Sequence, residues 1–173
     1  MQDITRRTTL VSATVGLGGL MVGGGAAVAQ QAPAVDAVRT FDLINPDGLY
    51  DPSPYGYSHL AVLKPKVRLV AIAGQGGETI DGKVAGDFRA QVRQALKNLS
   101  TAVQAAGGTL GDVVKQTFLV VDHREDKLPV LGEELDRAYG AGLKPTCTLI
   151  PVPRLALDSM LFEVEAWVAL PID

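Results

Sequence analysis

The chain is poor in the residues on which several common functions depend. It has one cysteine, Cys147, so no intramolecular disulfide can staple the fold. The thiol is left as a buried structural group, an intermolecular partner or a reactive centre. Its two histidines, His59 and His123, are too few for a histidine-rich metal site. The Asp122-His123 pair lacks the further ligands that such a site needs. Lysine and arginine are not clustered, and the net charge is -3 with a pI near 5.4. A nucleic-acid surface would need grouped cations to displace counterions, so the charge argues against that class. Glycines are frequent, but Gly74-Gln75-Gly76-Gly77 after an apolar run lacks the Lys-Ser or Lys-Thr pair of a phosphate loop and the GxGxxG spacing. No nucleotide, metal or other cofactor is implied.

What is present suffices for one domain. At 173 residues, with 47% hydrophobic and 20% charged residues, the chain can build one full core but not two. The first 29 residues read as a twin-arginine export signal: Arg6-Arg7 precede an uncharged Gly-, Ala- and Val-rich run, and Ala27-Val28-Ala29 offers a cleavage site. The weakly apolar run suits such a signal better than a membrane anchor. The mature protein is therefore expected in the periplasm or outside the cell, with no stable membrane association. Residues 30–54 are polar and rich in turn signals, and read as an N-terminal arm or loop; 55–173 read as the folded domain.

Within that domain, 57–63 and 67–73 read as strands of a hairpin turned at Lys64-Pro65-Lys66. The clearest helix spans 86–107. Asp87 is its expected N-cap, Phe88, Val92, Leu96, Leu99 and Val103 form its apolar stripe, and Arg89, Arg93 and Lys97 form a solvated flank. Residues 113–122 have strong β propensity, and a second helix at 128–139 carries Leu128, Leu131, Leu135 and Ala138 on one face. The stretch 144–166 contributes two closing strands around a bend at Pro151 and Pro153. Glu163 and Glu165 share one face of the last strand. The order is hairpin, helix, strand, helix, two strands, which gives an α+β domain with both helices on one face of its sheet.

Several segments taken together resemble the RidA family, also called YjgF/YER057c/UK114. They are Gly56-Tyr57-Ser58-His59-Leu60-Ala61, Ala73-Gly74-Gln75, the stretch from Gln91 to Asn98, Ala105-Ala106-Gly107, Leu110-Gly111-Asp112-Val113-Val114-Lys115, and Phe162-Glu163-Val164-Glu165-Ala166. The resemblance implies a chorismate-mutase-like α+β fold and a homotrimer with small-molecule clefts between neighbouring subunits. It further implies hydrolysis of amino-acid-derived enamines and imines to 2-oxo acids and ammonia. The family glutamate that positions or activates water corresponds to Glu163, and the tyrosine that shapes the cleft corresponds to Tyr57. Ala73 and Gly74 stand at the family's Ser-Gly-Gln, with alanine for serine, and Asn98 matches a helix asparagine that caps, packs or contacts ligand. The family arginine that grips a substrate carboxylate is replaced by Cys147 in Pro145-Thr146-Cys147. A thiol supplies no fixed positive charge. Arg154 matches a different family position, and Lys144, Arg68 and His59 are not taken as replacements. The resulting expectation is a trimeric binding protein whose ligand lacks the usual carboxylate, with hydrolysis through Glu163. An ordinary 2-imino acid deaminase with a substitute anion contact and a non-enzymatic chaperone-like or regulatory trimer are the alternatives.

Overall fold

A computed structural model describes residues 39–172; the expected export signal lies outside these residues. Six strands and two long helices follow in order: β1 (Phe41–Ile44), β2 (Leu60–Leu63), β3 (Val67–Gly76), α1 (Phe88–Ala105), β4 (Val113–Val121), α2 (Lys127–Tyr139), β5 (Thr146–Val152) and β6 (Phe162–Pro171). The main sheet has the order β3-β6-β4-β5. β6 is antiparallel to both neighbours, whereas β4 and β5 are parallel. A parallel pair needs a long crossover, and α2 provides it.

α1 forms where its stripe and caps predict. The Asp87 carboxylate accepts a hydrogen bond from the Ala90 amide at 2.8 Å, satisfying one of the unpaired donors of the first turn. At the far end Gly107 takes φ 90° and the Gly108 amide donates to the Val103 carbonyl at 3.0 Å, a closure that glycine permits without strain. Val92, Ala95, Leu96, Leu99 and Val103 then meet Leu131 and Leu135 of α2 and Phe118, Val120, Phe162, Val164, Ala166, Val168 and Leu170 of the sheet. The alternate residues of β6 face the other way: Trp167 is 47% exposed and Glu165 is exposed. The two helices therefore cover one face of the main sheet.

Four local expectations change. Residues 57–63 and 67–73 do not form a hairpin. β2 pairs with β1, while β3 pairs with β6, because the alternating side chains of β3 find their apolar complement in the last strand. The arm expected at 30–54 contributes a strand of its own, β1, which seats Phe41 in a small second core with Val114 and Ala169. β5 continues through Pro151 to Val152, which an edge strand tolerates. Finally, Arg89 and Arg93 do not form a merely solvated flank. Together with Arg137 they enclose the fully buried Glu134 of α2, at 3.2, 2.7 and 3.3 Å. The guanidinium beside it holds the Glu134 carboxyl at about 2, well below the usual carboxylate range.

Candidate functional site

The expected site residues divide between two recesses. The first, of about 730 Å³, opens on the helix-covered side between α2, β5 and the segment around residue 55. Tyr50, Tyr55 and Tyr57 line it with Phe118, Leu131, Cys147 and Leu149. Its tyrosines are fixed by one another and by a histidine. Tyr50 and Tyr57 hydroxyls are hydrogen-bonded, and the His59 ring meets Tyr50 and Tyr57 edge-on at 5.2 and 5.7 Å between centroids. His59 is held in turn by the Tyr50 carbonyl, 2.8 Å from its Nε2. The wall is aromatic and apolar with hydroxyl tips, and Glu133 and Asp136 of α2 add carboxylates to it.

Cys147 stands opposite Gln116 in the parallel β4–β5 register and packs against the main core beside Leu149. Burial pushes its thiol up to about 12, a shift that the nearby Lys115 only partly opposes. At neutral pH it is a neutral thiol, and the thiolate needed for nucleophilic attack is absent. None of the cations considered as replacements for an arginine here enters this wall. Lys144 is buried and paired with Asp136 at 2.8 Å while donating to the Gly140 and Gly142 carbonyls. Arg68 donates to the Ala106 carbonyl at the end of α1, and Arg154 pairs with Asp158.

The second recess, a groove of about 920 Å³, runs along β3 beside α1 and contains Gly74, Glu78, Asn98 and Glu163. The register of β3 against β6 breaks between Ile72 and Gln75, so Ala73 and Gly74 leave the ladder as a bulge. Bulges re-aim the chain next to sites, and here the bulge lets backbone approach the acid. A Cβ on Gly74 would overlap the Glu163 carboxylate. Ala73 is exposed beside it. Asn98 anchors this segment: its amide donates to the Gly76 and Glu78 carbonyls at 3.0 and 2.8 Å and accepts from Gln94 at 2.8 Å. Its side chain positions backbone while lining the groove.

Glu163 is half-buried and paired with no cation among the described residues. Burial raises its carboxyl above the ordinary range, and the negative charges of Glu78 and Glu165 add to the effect. Such a group exchanges protons nearer neutral pH than a solvated carboxylate, as a general acid or base requires. Sequence reasoning missed Tyr50, Tyr55 and Glu78. Tyr50 lay in the segment read as arm or loop, Tyr55 stood at the first position of the folded domain ahead of the first expected strand, and Glu78 carried no signal beyond following two glycines. It also missed Gln91, which is fully buried. Its amide donates to the Ala85 and Ser159 carbonyls and its Oε1 accepts from the Leu161 amide at 2.7 Å, tying α1 to the entry of β6.

Comparison with known proteins bears on the family and the fold. The family model described as endoribonuclease L-PSP matches residues 51–170. A 2-iminobutanoate/2-iminopropanoate deaminase of Salmonella typhimurium is 51% identical over 85 residues, a stretch that spans 49% of this chain and 66% of that protein, just under two thirds of its length. The crystal structure of the Rid-family protein YyfB from Yersinia pestis superposes with a TM-score of 0.72 at 32% identity, covering 76% of this chain and 99% of that one. E. coli TdcF with bound serine superposes with a TM-score of 0.52 at 26% identity, covering 59% and 80%. The chain belongs to the RidA (YjgF/YER057c/UK114) family, whose model carries the endoribonuclease L-PSP description.

Proposed function

We propose that this protein is a homotrimeric hydrolase of small imines or enamines that lack a carboxylate, with Glu163 as its proton-transfer group. The observation that carries the reading is the placement of Glu163: a half-buried carboxyl without a cationic partner among the described residues, raised by burial, facing an open groove across side-chain-free backbone at Gly74. In the reaction the oxygen of a water molecule bonds to the imine carbon as the C=N π pair moves to nitrogen, and the Glu163 carboxylate takes a water proton and passes it to that nitrogen, giving the neutral carbinolamine. Glu163 then takes the hydroxyl proton and delivers it to nitrogen as the carbonyl forms. The C–N bonding pair leaves with ammonia, and the carboxylate is restored.

Two features support assembly and ligand class. The sheet face away from the helices exposes Leu69, Ile150 and Trp167 at 49, 42 and 47%, apolar area that a second copy would cover. The family resemblance implies ligand clefts between neighbouring subunits, and in such a cleft the tyrosine-lined recess of one protomer would meet the Glu163 groove of its neighbour. Among the described residues the recess that contains Cys147 is lined by no lysine or arginine but by Glu133 and Asp136, which favours a substrate without a carboxylate over a 2-imino acid. A second reading, an ordinary 2-imino acid deaminase, is favoured by the 51% identity to the Salmonella typhimurium deaminase; it would draw its anion contact from the neighbouring protomer. Ammonia release from a neutral aryl or alkyl imine, measured beside release from a 2-aminoacrylate-generating system, separates the two. Faster turnover of the neutral imine, abolished by Glu163→Gln, is expected. Preference for 2-aminoacrylate would establish the second reading, and release from neither substrate would leave a binding or regulatory trimer.

A further inference from the structure

The groove that holds Glu163 contains a second carboxylate to which the reaction above gives no part. Glu78 follows Gly76-Gly77 at the end of β3, in a segment whose backbone is held from several sides. Asn98 donates to the Gly76 and Glu78 carbonyls, the Ala85 amide donates to the Gly77 carbonyl at 2.9 Å, and Glu78 forms an isolated bridge with Val84. Gly77 lies so close to α1 that a Cβ there would stand 2.7 Å from the Gln91 Cα. Held this way, the Glu78 side chain turns back over Gly76: a Cβ on Gly76 would overlap its carboxylate. Gly76 is itself the cross-strand partner of Glu163. Two glycines of one strand thus make room for two acids, Gly74 for Glu163 and Gly76 for Glu78, and both acids line one groove.

We propose that Glu78 is a positioning residue for Glu163: its charge across the groove favours the protonated form of Glu163, so that the proton taken from water is held until it passes to the substrate nitrogen. This rests on the reading of Glu163 as the hydrolytic group. The other groups facing Glu163 leave Glu78 as the main charge acting on it. Glu165 on its own strand acts in the same sense but follows Glu78 in effect. Lys97 of α1 lines the groove but is exposed, and α1 otherwise presents the uncharged Gln94, Asn98 and Thr101. From β4 the cross-strand neighbours of Glu163 and Glu165 are Leu119 and Thr117, which carry no charge. A carboxyl facing a like charge holds its proton to higher pH.

The test is a carboxyl-carbon NMR titration of Glu163 in the full chain, alongside the pH profile of kcat. Glu78→Gln keeps the side-chain shape and removes the charge; Glu78→Asp keeps the charge. The expected result is a Glu163 titration midpoint, and a matching limb of the kcat profile, displaced to lower pH in Glu78→Gln and restored towards wild type in Glu78→Asp, with Glu165→Gln producing a smaller displacement. An unmoved Glu163 midpoint in a folded Glu78→Gln protein would overturn the proposal whatever the activity. Persistent activity in Glu163→Gln would instead overturn the hydrolytic reading, while the NMR midpoint still reports on the coupling of the two acids.

Discussion

Glu163 and Cys147 stand on opposite faces of the same sheet. Glu163 pairs with Leu119 across β4–β6, and Cys147 pairs with Gln116 across β4–β5. Residues an odd number apart on β4 point to opposite faces. Gln116 belongs to the buried, helix-covered side, where its Oε1 accepts from the Tyr139 hydroxyl at 2.9 Å. The two positions that the family resemblance joins in one cleft are thus separated by the sheet within a protomer. In the proposed trimer they belong to clefts shared with neighbouring copies.

Assembly through the open sheet face makes a direct prediction. Trp167→Glu or Leu69→Glu places a charge within the apolar patch, where burial without a partner costs several kcal/mol. Sedimentation velocity is expected to show wild type as a trimer and the variants as monomers with retained helical circular dichroism.

The thiol of Cys147 should be inert. Because burial holds it at about 12, alkylation by iodoacetamide should be slow at neutral pH and accelerate only in strong alkali. Cys147→Arg adds the missing guanidinium to the tyrosine-lined recess. It should improve binding of 2-imino acid analogues about ten- to a hundredfold, the worth of roughly 1.5–3 kcal/mol in a charge-assisted hydrogen bond. Calorimetric titration with a 2-oxo acid measures this gain.

Glu134 links the two helices through three arginines. Its folded carboxyl, at about 2, lies below the unfolded value, so its contribution is present above the unfolded value and is lost as pH falls through the folded one. Stability should therefore decline between about pH 4.5 and pH 2. Glu134→Ala removes these three pairs, but Arg89 keeps Glu133 and the arginines stay solvated, so the loss at pH 7 should be only about 1–2 kcal/mol. Urea denaturation at both pH values checks the size and the sign.

Gly77 and Gly74 should respond differently to alanine. At Gly77 the added Cβ meets α1 backbone, and such overpacking should destabilise by about 1–3 kcal/mol. Gly74 is exposed in the bulge, and there the Cβ meets the Glu163 carboxylate. Gly74→Ala should lower kcat with little change in melting temperature, as thermal melts run beside an ammonia assay would show.

Features with a local physical cause were legible in the sequence. The α1 stripe and the Asp87 cap lie within a few turns of one another, and the shared face of Glu163 and Glu165 follows from the two-residue repeat of a strand. Features that depend on distant partners were not. The expected hairpin of 57–63 with 67–73 assumed that sequence neighbours pair, whereas Val67 pairs with Pro171. Arg89 and Arg93 looked solvated because Glu134 sits on the other helix, and helix spacing along α1 cannot reveal it. Glu78 joins the candidate site only through the packing of Gly76 and Gly77, and the two-sided placement of Glu163 and Cys147 emerges only from the register of three strands.

The central claim is that Glu163 performs proton transfer in hydrolysis. Single-turnover ammonia release from a neutral imine by wild type and Glu163→Gln tests it most directly, with folding of the variant verified by circular dichroism. The account predicts a loss of at least about a hundredfold in the variant, the lower end of what a positioned acid–base group contributes. Equal rates from the two folded proteins would contradict it.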